Sequence, residues 1–423
     1  KAIGITNQRE TVLAWNPQSG EPLTQAVVWQ CRRSAEICGC LRAEGLAETV
    51  SEKTGLVIDA YFSATKIAWL MENTPWLEEK VASGEAVFGT VDSWILYQLT
   101  KSSGSPVFAT EATNACRTML YQLTGGDWDE ELLKRFSLSR KNLAELRPSV
   151  GDFGSTTILG DAIPIRAILG DQQSSLFGHG CVEPDTVKCT FGTGAFLLLN
   201  AGSAPKRSDS GLLSSVAWDF AQERTYALEG SIFVAGALVQ WLRDELGILS
   251  SAAESEERAA RVDDTAGVTV VPAFVGLGAP YWDADARGAI LGLTREANAD
   301  HLVRAALESV CHQVADLINT PEFASVKRIR IGGGMAANKV FCQLLADICS
   351  VTIAVPQNTE VTALGAARAA ALGLGLFSSL EESVSNFGAS ATAKDTEYTP
   401  KLPKEERSAT RKRWQEAVSR VRT

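Results

Sequence analysis

The sequence predicts an α/β protein built in two halves, and three observations carry that expectation. Residues 328–355 read as strand (RIRI), glycine turn (GGG), helix (MAANKVFCQLLADICS) and strand (TIAVP), the order of an α/β unit. The first 135 residues alternate strand-like and helix-like periods. The texture then changes from about Ala162, where an apolar run ends abruptly in Gly-Asp-Gln-Gln. With 423 residues, 45% of them hydrophobic, the chain is long enough for two or three domains with cores of their own.

Taken in order, AIGITN and TVLAWN read as strands that meet near Arg9-Glu10, and CRRSAEICGCLRAEG reads as a helix stopped by Gly45. SATKIAWLMENTPWLEEKVASGE gives two helices broken at Pro75, and VDSWILYQLT a further one. DWDEELLKRFSL opens with an aspartate cap and acidic residues in its first turn. AIPIRAILG is a strand, and TVKCTFGTGAFLLLN is two strands hinged at Gly192-Thr193-Gly194. Residues 249–267 are polar and read as a surface helix with its loops. The tail KEERSATRKRWQEAVSRVRT reads as a solvated amphipathic helix whose charge reflects exposure. The soft boundary at 175–185 divides the chain into 1–175 and 176–423.

Composition excludes several classes. A net charge of −10 argues against a nucleic-acid or anionic-membrane surface. No apolar run approaches the roughly 20 residues needed to span a bilayer, and no signal peptide is visible. The nine cysteines are scattered without a framework spacing, which points to reduced thiols in the cytoplasm. His179, His301 and His312 show no ligand spacing, so no residue is assigned to a metal.

Two glycine turns have the shape of anion cradles. At Gly192-Thr193-Gly194 small residues let backbone N–H groups approach a phosphate, and at Gly332-Gly333-Gly334 the turn opens a helix. Taken alone, each is more commonly a plain tight turn. Asp171 ends an apolar strand, where open α/β sheets place ligands and where a carboxylate can take a hydroxyl proton during phosphoryl transfer. The competing reading makes it a cap of the helix that follows. Arg9 and Glu10 offer an adjacent donor and acceptor for the neighbouring hydroxyls of a polyol, against the simpler reading of a surface turn.

These stretches and several others, in order, resemble the glycerol kinases of the FGGY carbohydrate kinase family. They include GITNQRET, VVWQCRR, TGLVIDAYFSATKIAWLMEN, FGTVDSWILYQLT, GDQQSSLFG, FGTGAFLLLNAG, VVPAFVGLGAPYWDADARGAILGLTR, IGGGMAANK and TALGAARAA, and they run from the first residue to about residue 380. The resemblance implies two actin-like (ribonuclease H-like) domains with polyol and ATP in the cleft between them, the nucleotide accompanied by Mg2+. Carried over by position, Arg9, Glu10, Tyr61, Asp171 and Gln172 would hydrogen-bond glycerol. Trp29 and Phe196 would line its carbon chain, and Asp171 would be the general base. Thr193 would meet the phosphates, and Gly236, Gln240, Gly334 and Asn338 would surround the nucleotide. Family members are commonly dimers or tetramers, which makes a homo-oligomer the expectation.

Two departures qualify this picture. Family members open with a strand and a D-x-G-T-T-S phosphate hairpin several dozen residues before the position of Lys1. This chain is therefore expected to be a piece that starts in mid-domain, with little activity by itself. The stretch Leu159-Gly160-Asp161-Ala162 lacks the arginine-bearing loop through which some bacterial members bind fructose bisphosphate, and the phosphorylated histidine of others is missing. Neither regulation is expected. Two other readings stand beside the glycerol kinase: a kinase of a pentulose or another polyol, and a non-catalytic polyol- or nucleotide-binding protein.

Overall fold

The structure, a computed structural model, describes residues 1–220, 224–387 and 394–423. The strand Ile163–Gly170 is apolar on both faces, so both must be covered. It is the middle of a three-stranded sheet, with Ile3–Asn7 parallel on one side and the short Ser155–Thr156 antiparallel on the other. The helix Val361–Gly373, distant in sequence, packs across Ile3–Asn7 and Ile163–Gly170. That close approach needs Gly4, where a Cβ would lie 2.2 Å from the Ala366 carbonyl oxygen.

The second sheet has seven strands in the order Leu213–Asp219, Arg224–Ile232, Ala195–Gly202, Val187–Phe191, Arg328–Gly332, Thr352–Val355 and Thr396–Tyr398. Its central strand, Val187–Phe191, is antiparallel to Ala195–Gly202 and parallel to Arg328–Gly332. The four strands from Leu213–Asp219 to Val187–Phe191 run antiparallel to their neighbours, Arg328–Gly332 and Thr352–Val355 continue parallel, and Thr396–Tyr398 closes the edge antiparallel.

The two opening strands both form, but they join different sheets. Ile3–Asn7 pairs with Ile163–Gly170, whereas Val12–Trp15 pairs antiparallel with Val87–Thr90. The turn between them therefore redirects the chain, and Glu10 at its centre has φ 62. The strand Val87–Thr90 and the helix Ala47–Thr54 were not legible in the sequence. Both are short, and the strand forms by pairing with Val12–Trp15, far from it in the chain.

The polar segment 249–267 holds the expected surface helix, with a role beyond exposure. Its helix, Glu254–Ala260, buries Ser255 and Ala259, and its N-terminal end forms one wall of a cavity. The glycine turn at 332–334 departs in detail. It leads into a 3₁₀ turn, Gly334–Ala337, and the α-helix Lys339–Cys349 starts only after Asn338, whose side chain caps it by accepting from the Phe341 N–H at 2.8 Å. The tail helix Lys404–Val421 is amphipathic as expected, burying Trp414, Ala417 and Val418 beside Val271, Ala273 and Leu277.

The three histidines are spent on structure. His301 closes a capping box with Asn298, and His312 stacks on Trp414. His179 is buried, which lowers its pKa to about 3, with Lys188 and Arg330 adding to the effect. All nine cysteines are free. Among the described residues no helix is long and apolar enough to cross a membrane.

Candidate active site

Glu10 is the pivot of the first wall. Its positive φ and the 2.7 Å bond from the Thr11 N–H to the Arg9 carbonyl make a tight three-residue turn, a conformation L-residues rarely hold. Neighbours fix it: the Ser63 hydroxyl donates to the Glu10 carbonyl at 2.9 Å, and Arg117 Nε donates to Glu10 Oε1 at 2.7 Å. Arg9 and Glu10 are each only 2% exposed, which rules out the surface turn.

Burying these charges requires partners, and the decisive one comes from the second sheet. Glu229, on Arg224–Ile232, takes Arg9 in a two-pronged grip at 2.6 and 3.0 Å and accepts from Arg117 Nη2 at 3.0 Å. Burial would raise its carboxyl, but Arg117 and Arg9 outweigh that and hold it down at about 2. Glu10 is pushed the other way. Burial dominates there, Arg9 lies 3.9 Å off, and Glu229 adds repulsion. Arg9 also donates to Gln173 Oε1 at 3.2 Å and to the Tyr61 hydroxyl at 3.4 Å.

Aromatic rings close the pocket's sides. Trp29 meets Tyr61 and Phe196 edge-on at 5.8 and 5.6 Å between ring centroids, and Phe233 adds a fourth ring 5.9 Å from Tyr61. The Thr11 hydroxyl accepts from the Trp29 N–H at 3.1 Å, tying that ring's backbone to the Arg9-Glu10 turn. A cavity of about 200 Å³ opens beside Trp29, Tyr61 and Phe233.

Asp171 is the first residue of the helix Asp171–Gly178, and Gly170 is the cap. Its carboxylate still serves the first turn, accepting from the Gln172 N–H at 2.8 Å, so the two sequence readings are compatible. It is also the accessible acid of the group, with its side chain 34% exposed and Arg9 Nε 3.5 Å away. Gln172 is buried beside it. All seven residues singled out for the polyol thus gather around one buried cluster.

The five residues singled out for the nucleotide also converge. Thr193, Gly236, Gln240, Gly334 and Asn338 line one cavity of about 490 Å³. Thr193 sits exposed at the tip of the hairpin Val187–Phe191/Ala195–Gly202, and its carbonyl accepts from the N–H groups of Ala235 and Ala237. This docks the start of the helix Gly236–Asp244 against the hairpin so closely that a Cβ on Gly236 would lie 2.5 Å from the Gly192 carbonyl oxygen. Gly333, with φ 89, lets the second turn pass the Phe191 carbonyl at a distance no side chain tolerates. The Asn338 amide, besides capping its helix, donates to Ser255 at 3.2 Å.

Sequence reasoning missed Glu229, Arg117, Phe233 and the cavity wall at 252–256. No local signal marks them: Glu229 lies 220 residues from the arginine it pairs with. Only the apolar strand around Glu229, where a charge demands a partner, hints at a role.

Comparison with known proteins fits this geometry. Residues 1–178 match the N-terminal domain and residues 187–374 the C-terminal domain of the FGGY family of carbohydrate kinases. The chain belongs to the FGGY family of carbohydrate kinases. A glycerol kinase of Shewanella frigidimarina is 48% identical over 99% of this chain and 83% of its own length. A glycerol kinase 2 of Thermotoga maritima is 47% identical over 99% and 84%. Among solved structures, Plasmodium falciparum glycerol kinase with ADP superposes with a TM-score of 0.87 at 35% identity, covering all of this chain and 84% of the other. The FGGY fold, two α/β domains around a cleft, thus accounts for the two sheets.

Proposed function

We infer that this chain catalyses the ATP-dependent phosphorylation of glycerol to sn-glycerol 3-phosphate. The observation that carries the reading is one accessible carboxylate, Asp171, held beside the buried Arg9–Glu10–Glu229–Arg117 cluster. Its relatives by sequence are glycerol kinases, and a superposable glycerol kinase holds ADP.

In this reading residues 1–175, with Phe196 and Glu229 from the second half, supply the polyol wall, and the rest of residues 176–423 supply the nucleotide wall. Arg9, Glu10, Tyr61 and Gln172 hydrogen-bond the hydroxyls, while Trp29 and Phe196 press on the C–H faces. Asp171 takes the proton of a terminal hydroxyl as that oxygen's electron pair attacks the γ-phosphorus. The bond from phosphorus to the bridging oxygen breaks, and ADP keeps those electrons. Thr193 and the backbone N–H groups of its hairpin meet the phosphates, and Gly236, Gln240, Gly334 and Asn338 enclose the rest of the nucleotide. Among the described residues no group of three or more His, Cys, Asp or Glu side chains could hold a metal ion. Mg2+ fits the site as the nucleotide's counter-ion, bound mainly through phosphate oxygens and water.

A coupled assay of ADP release tests the reading with glycerol, 1,2-propanediol and xylulose. Removing one hydroxyl leaves buried polar groups unpaired, a loss that reaches about 10⁴ in kcat/KM. Glycerol is expected to lead by a wide margin. Equal kcat/KM for all three would overturn the substrate assignment, and better turnover of xylulose would favour a pentulose kinase.

A further inference from the structure

Lys188 lies on the central strand of the large sheet, fully buried, at the base of the hairpin that carries Thr193. A buried ammonium normally has a carboxylate partner. The acceptors of Lys188 are instead neutral: Gln172 Oε1 at 2.5 Å, Thr190 Oγ1 at 3.0 Å and the Phe196 carbonyl at 3.3 Å. The charged and titratable groups that face it are Asp171, Glu229, Arg9, Cys181, Cys189 and His179. Burial lowers its pKa to about 8, which leaves it charged at neutral pH.

The contact with Gln172 fixes the orientation of an amide. An ammonium only donates and a carboxylate only accepts. The carbonyl end of Gln172 must therefore face Lys188, and its Nε2 must donate to Asp171 Oδ2, as it does at 3.1 Å. The other oxygen of Asp171 is held by the Gln172 N–H and faces Arg9 Nε. Reversing the amide would set its oxygen against the carboxylate and its NH2 against the ammonium, unfavourable at both ends.

We propose that Lys188 is a positioning residue that acts through Gln172 to orient the Asp171 carboxylate. The proposal rests on Asp171 being the base in glycerol phosphorylation. A hydroxyl in place of Lys188 could not do this work, because only a donor without acceptor capacity forbids the reversed amide.

The test measures kcat and KM for glycerol separately in the unsubstituted chain and in Asp171→Asn, Lys188→Met and Gln172→Glu. Lys188→Met keeps the length and removes donors and charge. Its kcat is expected to fall about 10- to 100-fold, part of the range a general base supplies, with KM for glycerol little changed. Gln172→Glu keeps the contact to Lys188 but removes the donor to Asp171, so its kcat is expected to fall as well. A merely structural lysine would lower stability and leave kcat of the folded variant in place. An unchanged kcat in Lys188→Met overturns the proposal. If that variant does not fold, an unchanged kcat in Gln172→Glu does so. No turnover in the unsubstituted chain, or normal turnover in Asp171→Asn, would instead sink the function on which the proposal rests.

Discussion

In the proposed reading, the polyol wall and the nucleotide cavity solve recognition in opposite ways. Around Arg9 the site consists of charged side chains, buried and locked to one another across two sheets. Around Thr193 it consists of glycine turns, backbone groups and empty space. A small polyol offers only hydroxyls, so telling it from water takes rigid, desolvated donors and acceptors. A nucleotide brings its own charge and bulk, and backbone N–H groups with room to approach suffice. The first wall should therefore fail when a charge is unbalanced, and the second when space is filled.

The largest expected effect breaks the first wall at its chemistry. Asp171→Asn keeps shape and one acceptor but removes the base, and kcat should fall about 10²- to 10⁴-fold while glycerol affinity changes little. Single-turnover rates and glycerol titration, measured together, check both halves of that statement. A near-normal kcat would remove Asp171 from the role.

Next comes the charge balance itself. Glu229→Gln leaves Arg9 and Arg117 facing a neutral amide and should cost about 3–5 kcal/mol in denaturant unfolding, as removal of one partner from a buried ionic cluster does. It should also raise KM for glycerol by loosening Arg9. The folded pKa of Glu229, about 2, lies below its ordinary 4.5. Its linkage stabilisation is therefore full above pH 4.5 and drains away as pH falls towards 2. The variant should accordingly show a shallower loss of stability across that window.

The smallest effect isolates the second wall. Gly236→Ala forces a Cβ against the Gly192 carbonyl and must displace the hairpin from the helix start. Overpacking of this kind typically costs about 1–3 kcal/mol. KM for ATP should rise about tenfold, equivalent to about 1.4 kcal/mol, with KM for glycerol unmoved. If glycerol binding weakened equally, the two walls would not be separable.

The difference between the walls also governs how much could be read in advance. The glycine turns, the strand-end aspartate and the Arg9-Glu10 pair stand in contiguous motifs, because a turn or a strand end is a local event. Lys188 was visible only as one residue of a strand, and no local signal marked Arg117. Their meaning is electrostatic, and electrostatic partners are chosen by distance in space. The segment 252–256 was legible as part of a surface helix with its loops, but its place in a cavity wall was not, for the same reason.

What the sequence determined by itself was the period of each long element, the sites of its turns, and the residue types able to do phosphoryl-transfer chemistry. Those follow from short-range backbone and side-chain preferences. Only the tertiary structure decided that the two opening strands serve different sheets, that Glu10 holds a rare turn, and that Glu229 neutralises two arginines more than a hundred residues away. Those outcomes depend on burial. A charge taken out of water must find its opposite within a few ångströms, and packing alone determines which residue that is.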